Sequence, residues 1–169
     1  MIRRPLVLWQ RNVIGAVVAA AAIGVFVAID LGPAWTKYRH TVSPEVVVPD
    51  GKSGSADGQT WKVESIRHLN RSPVNFGPPL PAGTVLTVVT VERSGPTSEE
   101  ICIGVITNGA QRWKAEGVGG FRPPAADGVS ALCNKPGRVQ FTFLLPDDVV
   151  PSALDVTTLD GQIMVRLLI

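Results

Sequence analysis

Two cysteines, Cys102 and Cys133, are the residues of this chain whose chemistry is most specific. A pair of thiols can form a disulfide, hold a metal ion or act as a redox couple. A metal site would call for histidine nearby and a redox couple for the close C-x-x-C spacing, and these cysteines have neither. A disulfide is favoured if this part of the chain is exported, because oxidising compartments stabilise disulfides. The compartment has to be inferred from the rest of the sequence.

Other residues capable of chemistry do not form a recognised catalytic set. The two histidines, His40 and His68, lie outside any known motif, and no serine stands in a G-x-S-x-G sequence. The acidic doublets at 99–100 and 147–148 fall in turns but lack the spacing of a calcium loop. We interpret all of these as surface residues, and expect no enzymatic activity, no cofactor and no metal site.

The charge distribution argues against nucleic acid as a partner. Basic residues number 16 and acidic residues 14, which gives a formal charge of +2. Arg3, Arg4 and Arg11 precede a long apolar segment, and without them and Asp30 the remainder carries 13 residues of each sign. A neutral domain without runs of Lys or Arg lacks the positive surface that a phosphate backbone requires.

An apolar segment near the N-terminus predicts one transmembrane helix. Val13 to Ile29 are 17 consecutive uncharged residues. As a helix they would span roughly 26 Å, close to the thickness of the hydrocarbon core. Trp9 and Trp35 lie where aromatic residues anchor a helix at the interface, and Pro33 predicts that the helix has already ended, near Ile29. The helix and its interface are therefore assigned to residues 13–35.

The basic residues before this helix predict its orientation. Arginines are retained in the cytoplasm, so residues 1–12 are expected to be cytoplasmic and the C-terminal part extracytoplasmic. The chain is then a single-pass protein of the cell (inner) membrane, with the lipid bilayer as its first partner. A cleaved signal peptide with a site at Gly32-Pro33-Ala34 is the alternative. It is less favoured, because the apolar run exceeds a usual h-region and Asp30 follows directly.

The remainder divides into a stalk at 36–44 and one domain at 45–169. Glu45 to Val48 is a β-branched run between two prolines and is predicted to be a first edge strand. The Gly/Ser-rich residues 50–58 that follow are predicted to form a flexible loop.

Short β-favouring runs separated by turn residues predict an all-β fold, an antiparallel sandwich of the immunoglobulin-like kind. Asn108-Gly109 and Asp160-Gly161 are pairs that favour the tight turns of hairpins. Residues 75–82 and 117–130 are predicted to be irregular loops. The predicted strands are Thr60–Leu69, Thr84–Arg93, Ile101–Thr107, Gln111–Ala115, Arg138–Leu145, Ala153–Leu159 and Gln162–Ile169.

A resemblance to a known family rests on two segments, LPAGTVLTVVTVERSG (Leu80 to Gly95) and NKPGRVQFTFLLPDD (Asn134 to Asp148). With TWKVESI before them and a hairpin after, they resemble the telokin-like, immunoglobulin-like domains found behind lipobox or transmembrane anchors on bacterial surfaces. The resemblance covers roughly Glu45 to Ile169 and implies a sandwich fold. The cysteine pair and the insertion at 117–130 depart from the family. The Ala-rich anchor and the high Val content look like those of an actinobacterial protein.

These observations favour a non-enzymatic envelope protein whose exported domain binds another membrane or envelope protein, as an accessory subunit of a larger complex. The alternative is a module that binds a lipid, glycan or metal ligand. Trp113 and Phe121 flank the long loop and are candidates for such a ligand or partner surface, although Trp113 also fits a core position. A hydrolase hidden by divergence ranks third.

Overall fold

The structure is a computed structural model that describes residues 8–73, 78–97, 101–116, 121, 123 and 127–169. The chain divides into two compact units, one reaching to Arg39 and one running from His40 to Ile169. Strands occur only in the second unit among the described residues.

The helical segment consists of α1 (Leu8–Phe26), a π-helical turn (Val27–Leu31) and α2 (Gly32–Val42). No side chain of α1 is buried, as expected of a helix that has lipid as its solvent. Within the described residues, Leu8–Val42 is the one helix long and apolar enough to cross a membrane. Its length and composition are compatible with a membrane anchor.

The helix does not end near Ile29, and the prediction that Pro33 follows its end is wrong. The π-helical turn comes immediately before Pro33, and its wider hydrogen bond runs from Gly32 N–H to the Val27 carbonyl. A proline has no N–H to donate and clashes with the carbonyl four residues earlier, and a π turn is a usual place for such a disturbance. The helix then continues to Val42, because extending an existing helix needs no new nucleation. Most of the predicted stalk at 36–44 is thus helical.

Ten strands form two sheets of five. Sheet A has the order β1-β10-β9-β5-β6 and sheet B the order β2-β3-β4-β8-β7. The strands are β1 (Val47–Val48), β2 (Ser53–Ala56), β3 (Gln59–Leu69), β4 (Thr84–Ser94), β5 (Cys102–Thr107), β6 (Arg112–Lys114), β7 (Val129–Ser130), β8 (Gly137–Pro146), β9 (Ala153–Thr158) and β10 (Ile163–Leu168).

The β-sandwich prediction is confirmed, and each of the seven predicted runs corresponds to a strand. Both predicted hairpins form: β5 pairs with β6 and β9 with β10, each antiparallel. Asn108 Oδ1 accepts hydrogen bonds from the N–H groups of Ala110 and Gln111, and Gly109 has a φ of 95° that a larger residue would adopt at a cost.

Three expectations about the strands need correction. β2 lies within residues 50–58, which were predicted to be a flexible loop, and β7 lies within 117–130, predicted to be irregular. The two residues between β2 and β3, Asp57 and Gly58, have φ values of 50° and 70°, as a tight hairpin turn requires. The sandwich is also not purely antiparallel, because β1 pairs with β10 and β7 with β8 in parallel.

The core lies between the sheets. Its fully buried members include two residues of sheet B, Trp61 and Phe143. Sheet A contributes Ile106, Leu154 and Val165, which are also fully buried. The predicted disulfide between Cys102 and Cys133 is confirmed, with a Cα–Cα distance of 5.9 Å. It joins the start of β5 in sheet A to the segment that follows β7 in sheet B, so it links the two sheets covalently.

We predict that Cys102→Ser and Cys133→Ser each lower the melting temperature, and that the double variant is no worse than either. The bond closes a loop with a sequence separation of 31 residues. Loss of that closure is worth about 3–4 kcal/mol through the unfolded state. Thermal melts of the full-length protein in detergent measure the effect. Two reactive thiols in the denatured, non-reduced wild type would contradict the disulfide.

A second prediction concerns Gly104, which packs against Phe141 across the core. A Cβ on Gly104 would lie 2.6 Å from Phe141 Cγ, well inside contact distance. Gly104→Ala should therefore lower the free energy of unfolding by about 1–3 kcal/mol, the usual cost of overpacking. Phe141→Leu in the same chain should recover part of this loss, since it removes the ring. Urea melts of the two single variants and the double variant measure this. If the two losses in the free energy of unfolding simply add in the double variant, contact with the Phe141 ring is not the cause of the loss at Gly104.

Candidate functional site

The outer face of sheet A, which is the side away from the core, carries the site. In β9, Leu154 and Val156 belong to the core cluster, so Ala153, Asp155 and Thr157 face outward. Asp155 is nevertheless fully buried, with a relative exposure of 0%. A buried carboxylate is stable only when it is paired and hydrogen-bonded.

Two arginines supply those bonds. Arg166 lies directly opposite Asp155 on β10. Its Nε donates to Oδ1 at 2.6 Å and its Nη2 to Oδ2 at 2.9 Å. Arg112 Nη2, from β6, donates to Oδ2 at 3.1 Å. The hydrogen bond to Asp155, helped by its negative charge, raises the pKa of Arg166 against the opposing effect of partial burial.

Arg112 makes a second contact that reaches the start of the domain. Its Nη1 donates to the Thr41 carbonyl at 3.1 Å. Thr41 lies in the last turn of α2, where carbonyl groups have no partner within the helix, and a cation there is favourable. Close by in sequence, His40 Nδ1 lies 3.2 Å from Glu45 Oε1.

A groove of about 250 Å³ lies on this outer face, and we call it the sheet A groove. Apolar side chains of β5 contribute to its lining, and basic side chains of β6 stand on one side of it. The Arg112 side chain is 39% exposed and Leu159 is 66% exposed. The lining residues are Ile103, Val105, Arg112, Lys114, Thr157, Thr158, Leu159 and Gly161.

A neighbouring cleft of about 240 Å³ has the opposite charge character. Thr158 lines both, but this cleft is bordered by Glu45 and Asp57, together with His40. The described part of the chain contains no group of three or more His, Cys, Asp or Glu side chains arranged to hold a metal ion.

The residues predicted from the sequence to form a ligand surface are not part of this groove. Trp113 is half-buried on β6 and packs against the core cluster. Phe121 is also half-buried, but residues 117–120, 122 and 124–126 lie outside the described residues. His68 Nδ1 lies 3.0 Å from Thr87 Oγ1, the residue opposite it on β4.

Sequence reasoning also missed a buried cation, Arg93, which is 1% exposed at the end of β4. Its Nε donates to Gln59 Oε1 at 2.7 Å and its Nη2 to the Pro96 carbonyl at 2.6 Å. The guanidinium also lies 5.8 Å from the centre of the Trp61 ring, a cation–π distance. Burial lowers the pKa of Arg93. These contacts offset part of the cost of burying the charge, and Nη1 of Arg93 is buried without a hydrogen-bond partner among the described residues.

The fold defines the class of this protein, and comparisons with known proteins add no family to it. The chain is a β-sandwich protein with one N-terminal helix long enough to span a membrane. No family model matches it, and no curated protein does. A solved structure that is similar is an uncharacterized beta-sandwich protein from Clostridium difficile 630, with 10% sequence identity and a TM-score of 0.37. The match covers 73% of this chain and 93% of that one. The telokin-like resemblance stays a prediction.

The cluster around Asp155 gives a third prediction. Asp155→Asn should lower the free energy of unfolding by about 3 kcal/mol or more, because it leaves two arginines without their shared carboxylate. Asp147→Asn, at an exposed turn after β8, is the matched control and should change stability little. Urea denaturation of the full-length protein measures both. Equal stability of the two variants would mean that the Asp155 carboxylate does not contribute to the free energy of unfolding.

Proposed function

We propose that this chain is a non-enzymatic, membrane-anchored envelope protein whose exported sandwich binds another protein in the same membrane, as an accessory subunit of a larger complex. The observation that carries the proposal is the sheet A groove, where the exposed Leu159 and the apolar side chains of β5 lie beside the basic side chains of β6 on the outer face of the domain. Exposed apolar surface with a polar surround is the usual composition of a binding surface.

The anchor supports this function. The uncharged apolar run that begins at Val13 follows Arg3, Arg4 and Arg11, which favours a cytoplasmic N-terminus and an exported sandwich. Residues 43–46 alone separate the end of α2 from β1, so a helix anchored in a bilayer would keep the sandwich within reach of the same membrane. Such tethering raises the effective concentration of the domain for partners in that membrane, and a weak interface is then sufficient.

The described contacts give little support to catalysis. His40 is paired with Glu45 in the first residues of the second unit, and His68 lies beside Thr87 on sheet B. Neither contact includes a serine or a cysteine that a histidine would activate. The groove, at about 250 Å³, is also smaller than most pockets for small molecules. A protein surface therefore fits it better than a lipid or glycan ligand does.

The test compares the anchored and released forms. The full-length protein, purified from its own membranes in mild detergent, is expected to bring a second membrane protein with it, identified by mass spectrometry. A protease site inserted after Lys37 then allows the folded sandwich to be cut from its helix. We expect the partner to be retained much less by the released domain, since the effective concentration is lost.

Two variants test whether a substitution outside the groove affects partner binding. His68→Gln and Asp147→Asn change residues outside the groove and should leave the partner bound. Absence of any co-purifying protein, or turnover of a substrate by the purified chain, would contradict the proposed function.

A further inference from the structure

We propose that the sheet A groove recognises an acidic segment of the partner protein, an extended stretch in which carboxylates alternate with aliphatic side chains. This inference rests on the proposed function and names the chemistry of the partner. Four properties of the groove carry it: unused donors, their spacing, the excess of positive charge, and the apolar lining.

Arg112 has donors to spare. A guanidinium carries five N–H groups. In the described structure, one of them binds the Asp155 carboxylate and one binds the Thr41 carbonyl, so three are left. Both contacts hold the side chain in place while it stays 39% exposed. A donor fixed in this way loses little conformational freedom when it binds a carboxylate.

Lys114 places a second cation beside the first. Residue 113 between them turns its side chain to the core, so Arg112 and Lys114 project from the same outward face of β6. Two residues along a strand are about 6–7 Å apart, which is also the spacing of alternate side chains in an extended peptide. No described acidic side chain pairs with Lys114.

The charges do not cancel. Arg112 and Arg166 share the single carboxylate of Asp155, which leaves one positive charge in excess, and Lys114 adds another. Asp160, in the turn between β9 and β10, offsets one of these charges, so the balance stays positive. Ile103 and Val105 supply an apolar surface beside these cations. An extended segment that lies edge-on along the groove turns alternate side chains to opposite sides, so its carboxylates can face the cations of β6 while its aliphatic side chains face Ile103 and Val105.

The neighbouring cleft favours a peptide over a membrane surface. Glu45 and Asp57 border it, and Thr158 lines that cleft and the groove alike. A broad anionic lipid surface laid on the groove would also approach these carboxylates and be repelled. A narrow acidic segment can use the cations alone.

The experiment uses the full-length protein in nanodiscs of phosphatidylcholine. The probe is a fluorescein-labelled peptide, Gly-Val-Glu-Val-Glu-Val-Gly, and the matched peptide has Gln in place of Glu. We expect the acidic peptide to bind about tenfold more tightly than the neutral one, with an affinity that falls as salt is added. Fluorescence anisotropy measures both.

Lys114→Glu is the decisive variant, because Lys114 takes no part in the Asp155 cluster and its replacement should not affect folding. It should weaken binding of the acidic peptide about tenfold, and Lys114→Gln about threefold. Lys52→Glu, which makes the same charge change at an exposed turn between β1 and β2, should have no effect. Equal binding by all four proteins would overturn the proposal.

Two further outcomes separate this inference from the proposed function. If the native partner stays bound to the Lys114→Glu protein, the groove is not its docking site, although the protein is still an interaction module. If vesicles containing phosphatidylglycerol bind the nanodisc protein in a Lys114-dependent manner and the acidic peptide does not, the ligand is a lipid headgroup and the inference is wrong. Loss of the partner in Lys114→Glu but not in Lys52→Glu would support it.

Discussion

Each of the two sheets has to hide one face from water, and this constraint decides where the polar side chains of the sandwich can lie. On β9, Leu154 and Val156 fill the core, so the residue between them has to point outward. On β6 the same alternation turns Trp113 inward and its two basic neighbours outward. The charged surface of sheet A is therefore a consequence of how the core is packed.

The outward position of Asp155 would be unremarkable if it were solvated, but its carboxylate is completely covered. Its desolvation is offset by three charge-assisted hydrogen bonds, two from Arg166 and one from Arg112. Because Asp155 and Thr41 hold different nitrogens of Arg112, the plane of that guanidinium is fixed. A structural contact thus sets the direction of a side chain that also faces the groove.

The sequence patterns predicted the long strands well, because β4 and β8 are rich in Val, Thr and Phe and end at clear turns. They failed at β2, whose sequence SGSA has no strand preference and which is ordered by pairing with β3. They also failed at residues 36–42, where helix continues from the apolar segment. The disulfide could be predicted from residue type and compartment. The Asp155 cluster could not, because it depends on the register of β9, β10 and β6, which local sequence does not specify.

The lengths of the outermost strands have a consequence for contacts between copies of this domain. Each sheet ends in strands of two to four residues: β1 and β6 in sheet A, β2 and β7 in sheet B. An outermost strand offers unpaired backbone groups to neighbouring molecules, and short or charged edges discourage that pairing. Copies of this domain that meet edge to edge therefore have little opportunity to join their sheets into aggregates.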